Sequence, residues 1–442
     1  MTAGVQARVL IIAKDDAMAG PLAEGLDRLG WRTVTARGPY AALTALSDMK
    51  IEGAIVDIVS GGPEALSMAQ RLKTACAPRR LPVIAVGEPG PEMEPYDFDL
   101  TLAGPVHPAQ VAARLETLVR TAIEEEEFDL RRETFAEQGR RLGPPEAETT
   151  PYHVLAIGEP APQFLALSNA LTRSGAQVVG AFTAYTAFDY LHERAFDAVV
   201  LWGGDTTQEA LSIAAGMRRN TRLYHTPALL YLREETFVTQ SEAYHRGVSD
   251  VASPETPEIE TARRVLELAR SHRRQIAVRK ALENAKDAGL MDPATGLFTR
   301  DLFARHVARL AQASRARGRQ LSVCVLKVAD RSDVVAARAG GWLDKAIPQI
   351  GSMIGRLVRS EDTAARLSQE VFALALPSTG RAAARAAGER IAAVIGCTAF
   401  EAGKGKPPFV VEFDIGVAEV GAGEAVGKAL EEAAAEAQRK AG

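Results

Sequence analysis

Residues 359 to 372 read RSEDTAARLSQEVF, a charged turn that leads into two short apolar segments. Thr363 to Leu367 and Val371 to Leu376 have the length and composition of buried strands, and three polar residues separate them. Two such segments joined by a short polar stretch predict a β-hairpin. Arg359 and Asp362 stand three positions apart, just before the hairpin.

The chain around this hairpin, from Met291 to Gly442, predicts an α+β domain. Further strands are expected at Leu321 to Val328 and at Phe409 to Val417, with helices between the strands. Near its start, residues 292 to 300 read DPATGLFTR, in which the Asp-Pro and Thr-Gly steps are turn formers.

Two earlier parts of the chain share a rhythm of short apolar runs and amphipathic stretches, repeated with a period of roughly 145 residues. Apolar runs without alternation are typical of parallel strands buried on both faces, so each part predicts a doubly wound open sheet. The predicted strands are Arg8 to Ala13, Gly53 to Ile58, Leu81 to Val86, His153 to Ile157, Ala198 to Trp202 and Ala228 to Leu232. The predicted helices are Pro21 to Leu29, Pro39 to Met49, Gly62 to Ala75, Pro108 to Thr121, Gln163 to Ser174, Ala184 to Glu193, Thr207 to Arg219 and Pro257 to Arg270.

Charge and turn residues divide the chain. The acidic run Glu124 to Glu127, followed by Arg131 and Arg132, predicts a charged helical extension that ends before Gly143. The last helix of the second part is expected to continue through Ser271 to Leu290. The predicted organisation is a first domain at 1–122, a linker at 123–150, a second domain at 151–272, a helical linker at 273–290 and a third domain at 291–442.

Composition limits the class of protein. The 442 residues suffice for three domains of about 100 to 200 residues each. A net charge of -4 lacks the basic excess of a protein that binds nucleic acid polymers. Three cysteines without a CxxC spacing indicate neither a disulfide framework nor a zinc site. The apolar run Val9 to Ala13 is too short for a signal peptide or a membrane span, so we expect a cytoplasmic protein with no membrane insertion.

The segments DPATGLFTR and RSEDTAARLSQEVF together resemble the GGDEF domains of the diguanylate cyclase family. In that family the first segment reads DPLTGLxNR, and the second has RxxD, five residues and the hairpin GG[DE]EF. The resemblance implies a nucleotide-cyclase-like α+β fold for the third domain.

The hairpin departs from the family pattern where catalysis needs it. Ser368 and Gln369 replace the two glycines that let GTP pass close over the backbone. By resemblance, the two metal-binding carboxylates would fall at Lys327 and Val371, and a cation there opposes metal binding. Glu370 is retained. The resemblance therefore implies no cyclase activity and no catalytic residues, with residual cyclase activity as the alternative.

The RxxD element is intact. In the family, this Arg and Asp hold cyclic di-GMP, the Arg on phosphate and guanine and the Asp on guanine nitrogens, with one more Arg from a later helix. The resemblance assigns these roles to Arg359, Asp362 and Arg390. The alternative is a surface ion pair worth under about 1 kcal/mol. The resemblance also implies a further arginine contact from another domain or subunit, for which Arg173, Arg315 and Arg317 are candidates.

The first domain resembles response-regulator receivers. Asp15 and Asp16 follow the first strand and Asp57 ends a central one, and the carboxyl ends of parallel strands converge on one crevice. The resemblance makes Asp57 the candidate phosphoacceptor and all three carboxylates candidate Mg²⁺ ligands. Gly87 and Gly104-Pro105 stand where the family has a hydroxyl and a Lys-Pro, which weighs against a phosphorylation switch.

The second domain keeps the rhythm of the first without its chemistry. The acidic pair becomes Gly158-Glu159, the phosphoacceptor becomes Trp202, and the hydroxyl and Lys become Leu232 and Ser253. We therefore expect a degenerate receiver-like adaptor, with Trp202 in a core or an interface.

The whole chain thus predicts an α/β multidomain protein: two flavodoxin-like doubly wound receiver domains followed by a degenerate GGDEF domain. The expected function is a cyclic di-GMP effector that controls domain arrangement and recruits a protein partner such as a protease adaptor, through the first receiver domain. A homodimer and a location at the cell pole are further expectations. The alternative is a phosphorylation-responsive scaffold that uses Asp57.

Overall fold

The structure is a computed structural model. It describes residues 7–61, 63–87, 97–146, 151–203, 207–232, 239–285, 289–403, 405–421 and 423–439. The chain forms two compact units, the first made of Met1–Ala122 and Glu146–Ala277, the second of Ile123–Pro145 and Val278–Gly442. Each unit is therefore assembled from two separate stretches of chain.

A parallel five-stranded sheet lies in the first part of the first unit. Its strands are β1 (Arg8–Ile12), β2 (Arg32–Ala36), β3 (Gly53–Asp57), β4 (Val83–Val86) and β5 (Leu100–Leu102). The order β2-β1-β3-β4-β5 is flavodoxin-like, and apolar clusters fill both faces of the sheet. Its helices are α1 (Asp16–Arg28), α2 (Pro39–Asp48), α3 (Ile58–Gly61), α4 (Pro63–Leu66), α5 (Met68–Cys76) and the long α6 (Pro108–Ala136).

The second part of the first unit repeats this architecture. Its strands are β6 (Tyr152–Ile157), β7 (Ala176–Ala181), β8 (Ala198–Gly203), β9 (Ala228–Leu232) and β10 (Asp250–Ala252). All pair in parallel in the order β10-β9-β8-β6-β7, the flavodoxin-like order again. Its helices are α7 (Pro162–Arg173), α8 (Ala184–Glu193), α9 (Thr207–Arg219), α10 (Gln240–His245) and α11 (Glu258–Asn284).

The second unit contains a mixed sheet. Its strands are β11 (Phe298–Thr299), β12 (Leu321–Val328), β13 (Thr363–Ser368), β14 (Val371–Pro377) and β15 (Phe413–Glu419), in the order β11-β13-β14-β12-β15. The pairs of β14 with β12 and β13, and of β12 with β15, are antiparallel. Its helices are α12 (Arg300–Ala316), α13 (Ser332–Ala339), α14 (Trp342–Leu357), α15 (Arg381–Gly396) and α16 (Val426–Arg439).

The sequence pattern misses five strands, β2, β5, β7, β10 and β11, and each lies at an edge of its sheet. An edge strand is solvated on part of its surface, so it lacks the continuous apolar run of a central strand. Several residues of β2 are partly or fully exposed, whereas every residue of β3 is buried.

Several predicted boundaries are wrong. Helix α1 begins at Asp16 rather than at Pro21, because the Asp15 carboxylate caps it by accepting from the N–H of Ala17 at 3.1 Å. Strand β15 begins at Phe413, since Phe409 pairs instead with Phe400 in an isolated bridge.

Two predicted helices also differ from the structure. The one predicted from Gly62 to Ala75 is divided into α4 and α5, and Gly62 lies outside the described residues. Helix α11 ends at Asn284, and Leu290 is not helical, while residues 286–288 lie outside the described part of the chain.

The predicted linker at 123–150 contains a packed helix. The last part of α6 lies in the second unit, where Phe135 is fully buried and its ring centroid is 5.9 Å from that of Phe298. Phe128 packs with Val278 and Leu282 from the end of α11. We call residues 123–136 the α6 extension. It contributes to the core of the second unit from a distant part of the sequence.

Candidate functional site

The residues of the RxxD motif form a closed turn between α14 and β13. The N–H of Asp362 donates to the carbonyl of Arg359 at 3.1 Å. The N–H of Arg359 donates in return to Oδ2 of Asp362 at 3.0 Å. These two hydrogen bonds hold the backbone of the turn in one conformation, while the Arg359 side chain remains 45% exposed.

Arg390 lies beside this turn. It projects from α15, is exposed, and its Nη2 is 3.5 Å from the carbonyl of Leu357, two residues before Arg359. The structure therefore brings the predicted third ligand residue next to the other two. Two guanidinium groups and one carboxyl group then belong to one locality at the C-terminal end of α14.

The Asp362 carboxyl is the unusual group of the site. The residue is only 8% exposed, and its Oδ1 is buried without a hydrogen-bond partner among the described residues. Burial, followed by the charge of Glu361, raises the pKa of Asp362 to about 7, although the N–H and the charge of Arg359 oppose this. An acceptor atom without a donor is costly in a protein interior.

The α6 extension lies against the same turn. Nη2 of Arg131 donates to the carbonyls of Ser360 at 3.2 Å and Asp362 at 2.9 Å. Its Nε donates to Oε1 of Glu127 at 2.7 Å. Oε1 of Glu124 accepts from the Ser360 hydroxyl at 2.8 Å.

The buried Glu127 also binds His306 of α12, whose Nε2 lies 2.9 Å from Oε1. The other ring nitrogen of His306 lies 3.0 Å from the Thr134 hydroxyl, which itself donates to the carbonyl of Leu130. Burial would raise the pKa of Glu127, but the charges of His306 and Arg131 outweigh it and lower the pKa below its ordinary value. Glu127 is therefore a buried carboxylate that accepts from Arg131 and lies within hydrogen-bond distance of His306.

Sequence reasoning did not identify the residues of the α6 extension as part of this site. The only sequence signal was the charged run of Glu124 to Glu127 with Arg131 and Arg132. Of the arginine candidates outside the motif, Arg315 donates to the carbonyl of Glu424 at 2.6 Å, and Arg317 lies 3.6 Å from Glu126. Arg173 is the last residue of α7.

The hairpin of β13 and β14 ends in a turn whose polar groups have local partners. Arg366 donates to the carbonyls of Ser368 and Gln369, both at 3.2 Å. The Gln369 side-chain amide donates to Asp344 at 2.6 Å. These contacts involve both positions at which the sequence departs from the two glycines.

Lys327 and Val371 face each other across neighbouring strands, since they are register partners in the β12 and β14 pair. The pairing places both of the altered positions next to the hairpin. Beside them, Arg338 holds the retained Glu370 through two hydrogen bonds of 2.7 and 2.6 Å and also pairs with Asp330 at 2.8 Å. The hydrogen bonds that Arg338 donates to Glu370 and Asp330 raise its pKa above its ordinary value.

In the first flavodoxin-like sheet, Asp57 lies at the end of β3 and acts as a local cap. Its Oδ1 accepts from the N–H groups of Val59 at 2.9 Å and Ser60 at 3.2 Å, and its Oδ2 accepts from the Ser60 hydroxyl. Asp15 caps α1, and Asp16 pairs with Arg37 at 2.7 Å.

The structure gives these three aspartates separate partners. Among the described residues, no group of three or more His, Cys, Asp or Glu side chains is arranged to hold a metal ion. The Mg²⁺ site and the phosphoacceptor role of Asp57 remain predictions.

Aromatic side chains fill the corresponding region of the second sheet. Trp202 is 5% exposed, and its ring centroid lies 5.6 Å from Phe164 and 4.9 Å from Tyr231. Gly158 has φ +150, and a Cβ added to it would lie 2.2 Å from Cβ of Trp202. The bulky Trp202 thus requires a glycine at position 158. The prediction that Trp202 is a core residue is confirmed.

Comparisons with known proteins bear on the same parts of the chain. Residues 289–441 match the family model described as "Diguanylate cyclase, GGDEF domain". No curated protein sequence matches the chain at a significant level.

Three solved structures illustrate the similarity. The FimX GGDEF domain from Pseudomonas aeruginosa is 20% identical over 35% of this chain and 94% of its own, with a TM-score of 0.32. The GGDEF domain of DgcB from Caulobacter crescentus, in complex with c-di-GMP, is 21% identical over 34% of this chain and 86% of its own, with a TM-score of 0.32. A putative response regulator from Chloroflexus aurantiacus is 15% identical over 27% of this chain and 99% of its own, with a TM-score of 0.26.

Within the described residues, no helix combines the length and the apolar character needed to cross a bilayer. The match to the family model covers the sheet, the hairpin and the RxxD turn of the second unit. Residues 289–441 are therefore a GGDEF domain of the diguanylate cyclase family.

Proposed function

We propose that this protein is a receptor for cyclic di-GMP that does not synthesise the nucleotide. The observation that carries the proposal is the closed RxxD turn, which holds Arg359 and Asp362 next to Arg390. In this proposal the two arginines bind phosphate and guanine, and the Asp362 carboxylate accepts from guanine nitrogens.

The chemistry of the turn supports this assignment. A guanine edge presents neighbouring N–H donors, and among the residues that the structure describes none donates to the buried Oδ1 of Asp362. The half-exposed Arg359 has a planar fork of donors suited to bidentate contact with phosphate or with the guanine edge. A surface ion pair does not account for this geometry, because Asp362 accepts from the backbone of Arg359 and is itself buried.

The hairpin supports the absence of cyclase activity. Catalysis in this family needs two metal ions to neutralise the attacking hydroxyl and the α-phosphate. Lys327 and Val371 supply no carboxylate at the expected positions, and Arg338 engages the retained Glu370. Bound metal would have to compete with that ion pair and with the charge of Lys327.

Within this proposal the two flavodoxin-like sheets are receiver-like adaptors. Asp57 uses both carboxylate oxygens to cap the start of α3, which favours a structural role over that of a phosphoacceptor. The domain order resembles that of PopA, an effector of cell-cycle control. By that resemblance, the nucleotide-bound protein would recruit a protease adaptor through the first receiver-like domain and direct a substrate to ClpXP at a cell pole.

Isothermal titration tests the receptor assignment. Wild type is expected to bind cyclic di-GMP, and Arg359→Ala and Arg390→Ala should weaken binding about tenfold or more, since each removes a charge-assisted contact. Arg305→Ala, an exposed arginine on α12, is the matched control and should leave the affinity unchanged. Unchanged binding in Arg359→Ala would remove the proposed site.

The same preparations test the absence of synthesis. Wild type incubated with GTP and Mg²⁺ or Mn²⁺ should form no cyclic di-GMP. Sustained turnover would show that metal binds despite Lys327 and that the chain is a cyclase.

A further inference from the structure

We propose that Arg131 of the α6 extension is a positioning residue for the nucleotide at the RxxD turn, with the bond from Ser360 to Glu124 as a second tie. This inference rests on the proposed function, since it concerns the affinity of that same site. The GGDEF family model begins at residue 289, so neither Arg131 nor Glu124 belongs to the matched domain.

Arg131 is the donor in each of its hydrogen bonds to the turn. Arg131 donates to the carbonyls of Ser360 and Asp362 and approaches the Thr363 hydroxyl at 3.3 Å. One guanidinium therefore holds the turn backbone at Ser360 and Asp362, and the start of β13 at Thr363, from one side. The position of Asp362 follows from the position of this backbone.

The Arg131 side chain is itself held in place by buried neighbours. Its side chain is 6% exposed, and its Nε is fixed by Glu127, which His306 of α12 holds in turn. A guanidinium that is buried and locked by a buried carboxylate has little rotamer freedom left to lose. Arg131 therefore fixes the position of the turn in the protein without ligand.

A second contact connects the turn to the α6 extension, from Ser360 to Glu124. The Ser360 hydroxyl donates to Oε1 of Glu124, and the same oxygen accepts from Nε of Arg279 at 2.8 Å. Burial raises the pKa of Glu124, opposed by the charge and hydrogen bond of Arg279 and by the bond from Ser360. The Ser360 side chain, inside the RxxD motif, is thereby tied to both α6 and α11.

These contacts explain how Oδ1 of Asp362 is presented. Oδ2 of Asp362 is bound within the turn, so the orientation of Oδ1 is set once the backbone of the turn is set. If the α6 extension released the turn, Asp362 would lose its fixed position, and the ligand would have to supply the ordering free energy itself. Ligand affinity is therefore coupled to the contact between the α6 extension and the turn.

The test is a titration of cyclic di-GMP into the whole chain as wild type, Arg131→Gln, Arg131→Lys and Arg132→Gln, with a thermal melt of each. Arg132 is the matched control, because it neighbours Arg131, is 49% exposed and pairs with Asp129 on the same helix. Arg131→Gln should bind about tenfold more weakly, since two backbone hydrogen bonds to a charged group are lost. Arg132→Gln should bind like wild type.

The lysine variant separates positioning from mere stability. A single ammonium can keep the ion pair with Glu127, but its donors sit on one nitrogen and cannot reach both Glu127 and the two carbonyls, which Arg131 contacts from two different nitrogens. Arg131→Lys is therefore expected to recover much of the thermal stability and little of the affinity. Recovery of the full affinity by lysine would overturn the positioning role, and so would a folded Arg131→Gln that binds like wild type.

Two further outcomes complete the experiment. If Arg131→Gln does not fold, Ser360→Ala takes its place, because it cuts the tie to Glu124 and leaves the ion pair of Arg131 intact. Its affinity should fall about threefold, and an unchanged affinity would overturn the inference. If wild type does not bind, or if Arg359→Ala binds like wild type, it is the proposed function that fails.

Discussion

The affinity for cyclic di-GMP should fall about tenfold when the pH is lowered from 8 to 6, because the proposed acceptor for guanine is a carboxylate that titrates in this range. Burial and the charge of Glu361 raise the pKa of Asp362 to about 7. The deprotonated form accepts guanine N–H groups, whereas the protonated form places a hydrogen on one of its two oxygens. Oδ2 is already bound to the N–H of Arg359, so the proton would lie on Oδ1, where the guanine binds.

The size of the change in affinity follows from the fraction of molecules in which the Asp362 carboxyl is deprotonated. With a pKa of about 7 for Asp362, about nine tenths of the molecules carry the carboxylate at pH 8 and about one tenth at pH 6. The apparent Kd is the intrinsic Kd divided by this fraction, which gives the tenfold change. The charged groups that set the midpoint are Glu361 and Arg359 in the turn and Glu127 in the α6 extension.

The assay is titration calorimetry at half-unit steps from pH 5.5 to pH 8.5 on wild type, Asp362→Asn and Glu361→Gln. Asp362→Asn should bind more weakly than wild type at pH 8, with no pH dependence, because the amide keeps one acceptor and does not titrate. Glu361→Gln removes a charge that raises the pKa of Asp362, so its transition should move to lower pH.

Two results would refute the reasoning. One is an affinity for wild type that is constant between pH 6 and pH 8. The other is a pH dependence that persists in Asp362→Asn, which would assign the titration to a different group. A transition in Glu361→Gln at the same pH as in wild type would show that this neighbour does not act on Asp362.

Three predictions concern stability. Because the Asp362 pKa rises from 3.8 to about 7 on folding, the folded protein loses stability as the pH rises through this range. Asp362→Asn should therefore raise the free energy of unfolding at pH 8 by at most about 4 kcal/mol. Near pH 4 the same substitution should change the free energy of unfolding little. Phe135→Ala should destabilise the second unit by about 3 to 5 kcal/mol in denaturant melts, because it empties a fully buried site against Phe298, and an unchanged melt would contradict this packing. Gly158→Ala should lower the melting temperature of the first unit, since its Cβ would meet Trp202 at a positive φ, and a neutral effect would contradict the close approach.

The central strands could be predicted because a strand that is buried on both faces consists of consecutive apolar residues. β3 and β8 illustrate this, as every residue in each is buried. The edge strand β2 was not predictable by the same rule, since solvent covers part of it. Helix α1 begins five residues before Pro21, because the Asp15 carboxylate caps its first turn and Pro21 lies inside the helix.

The RxxD turn and the altered hairpin could be predicted because each consists of residues that are close together in the sequence. Arg359 and Asp362 are three residues apart, and the hydrogen bonds that close the turn connect only these two residues. The proximity of Arg390 depends on how α15 packs beside α14, although the family resemblance anticipated it.

The sequence by itself determined the strand and helix rhythm, the GGDEF motif and its altered hairpin, because these are patterns of neighbouring residues. Only the tertiary structure decided that the α6 extension belongs to the second unit and holds the RxxD turn. The contact of Arg131 with Asp362 joins residues 231 positions apart. No local pattern encodes such a pair, since it depends on the packing of Phe135 and its neighbours into a core built mainly from residues far along the chain.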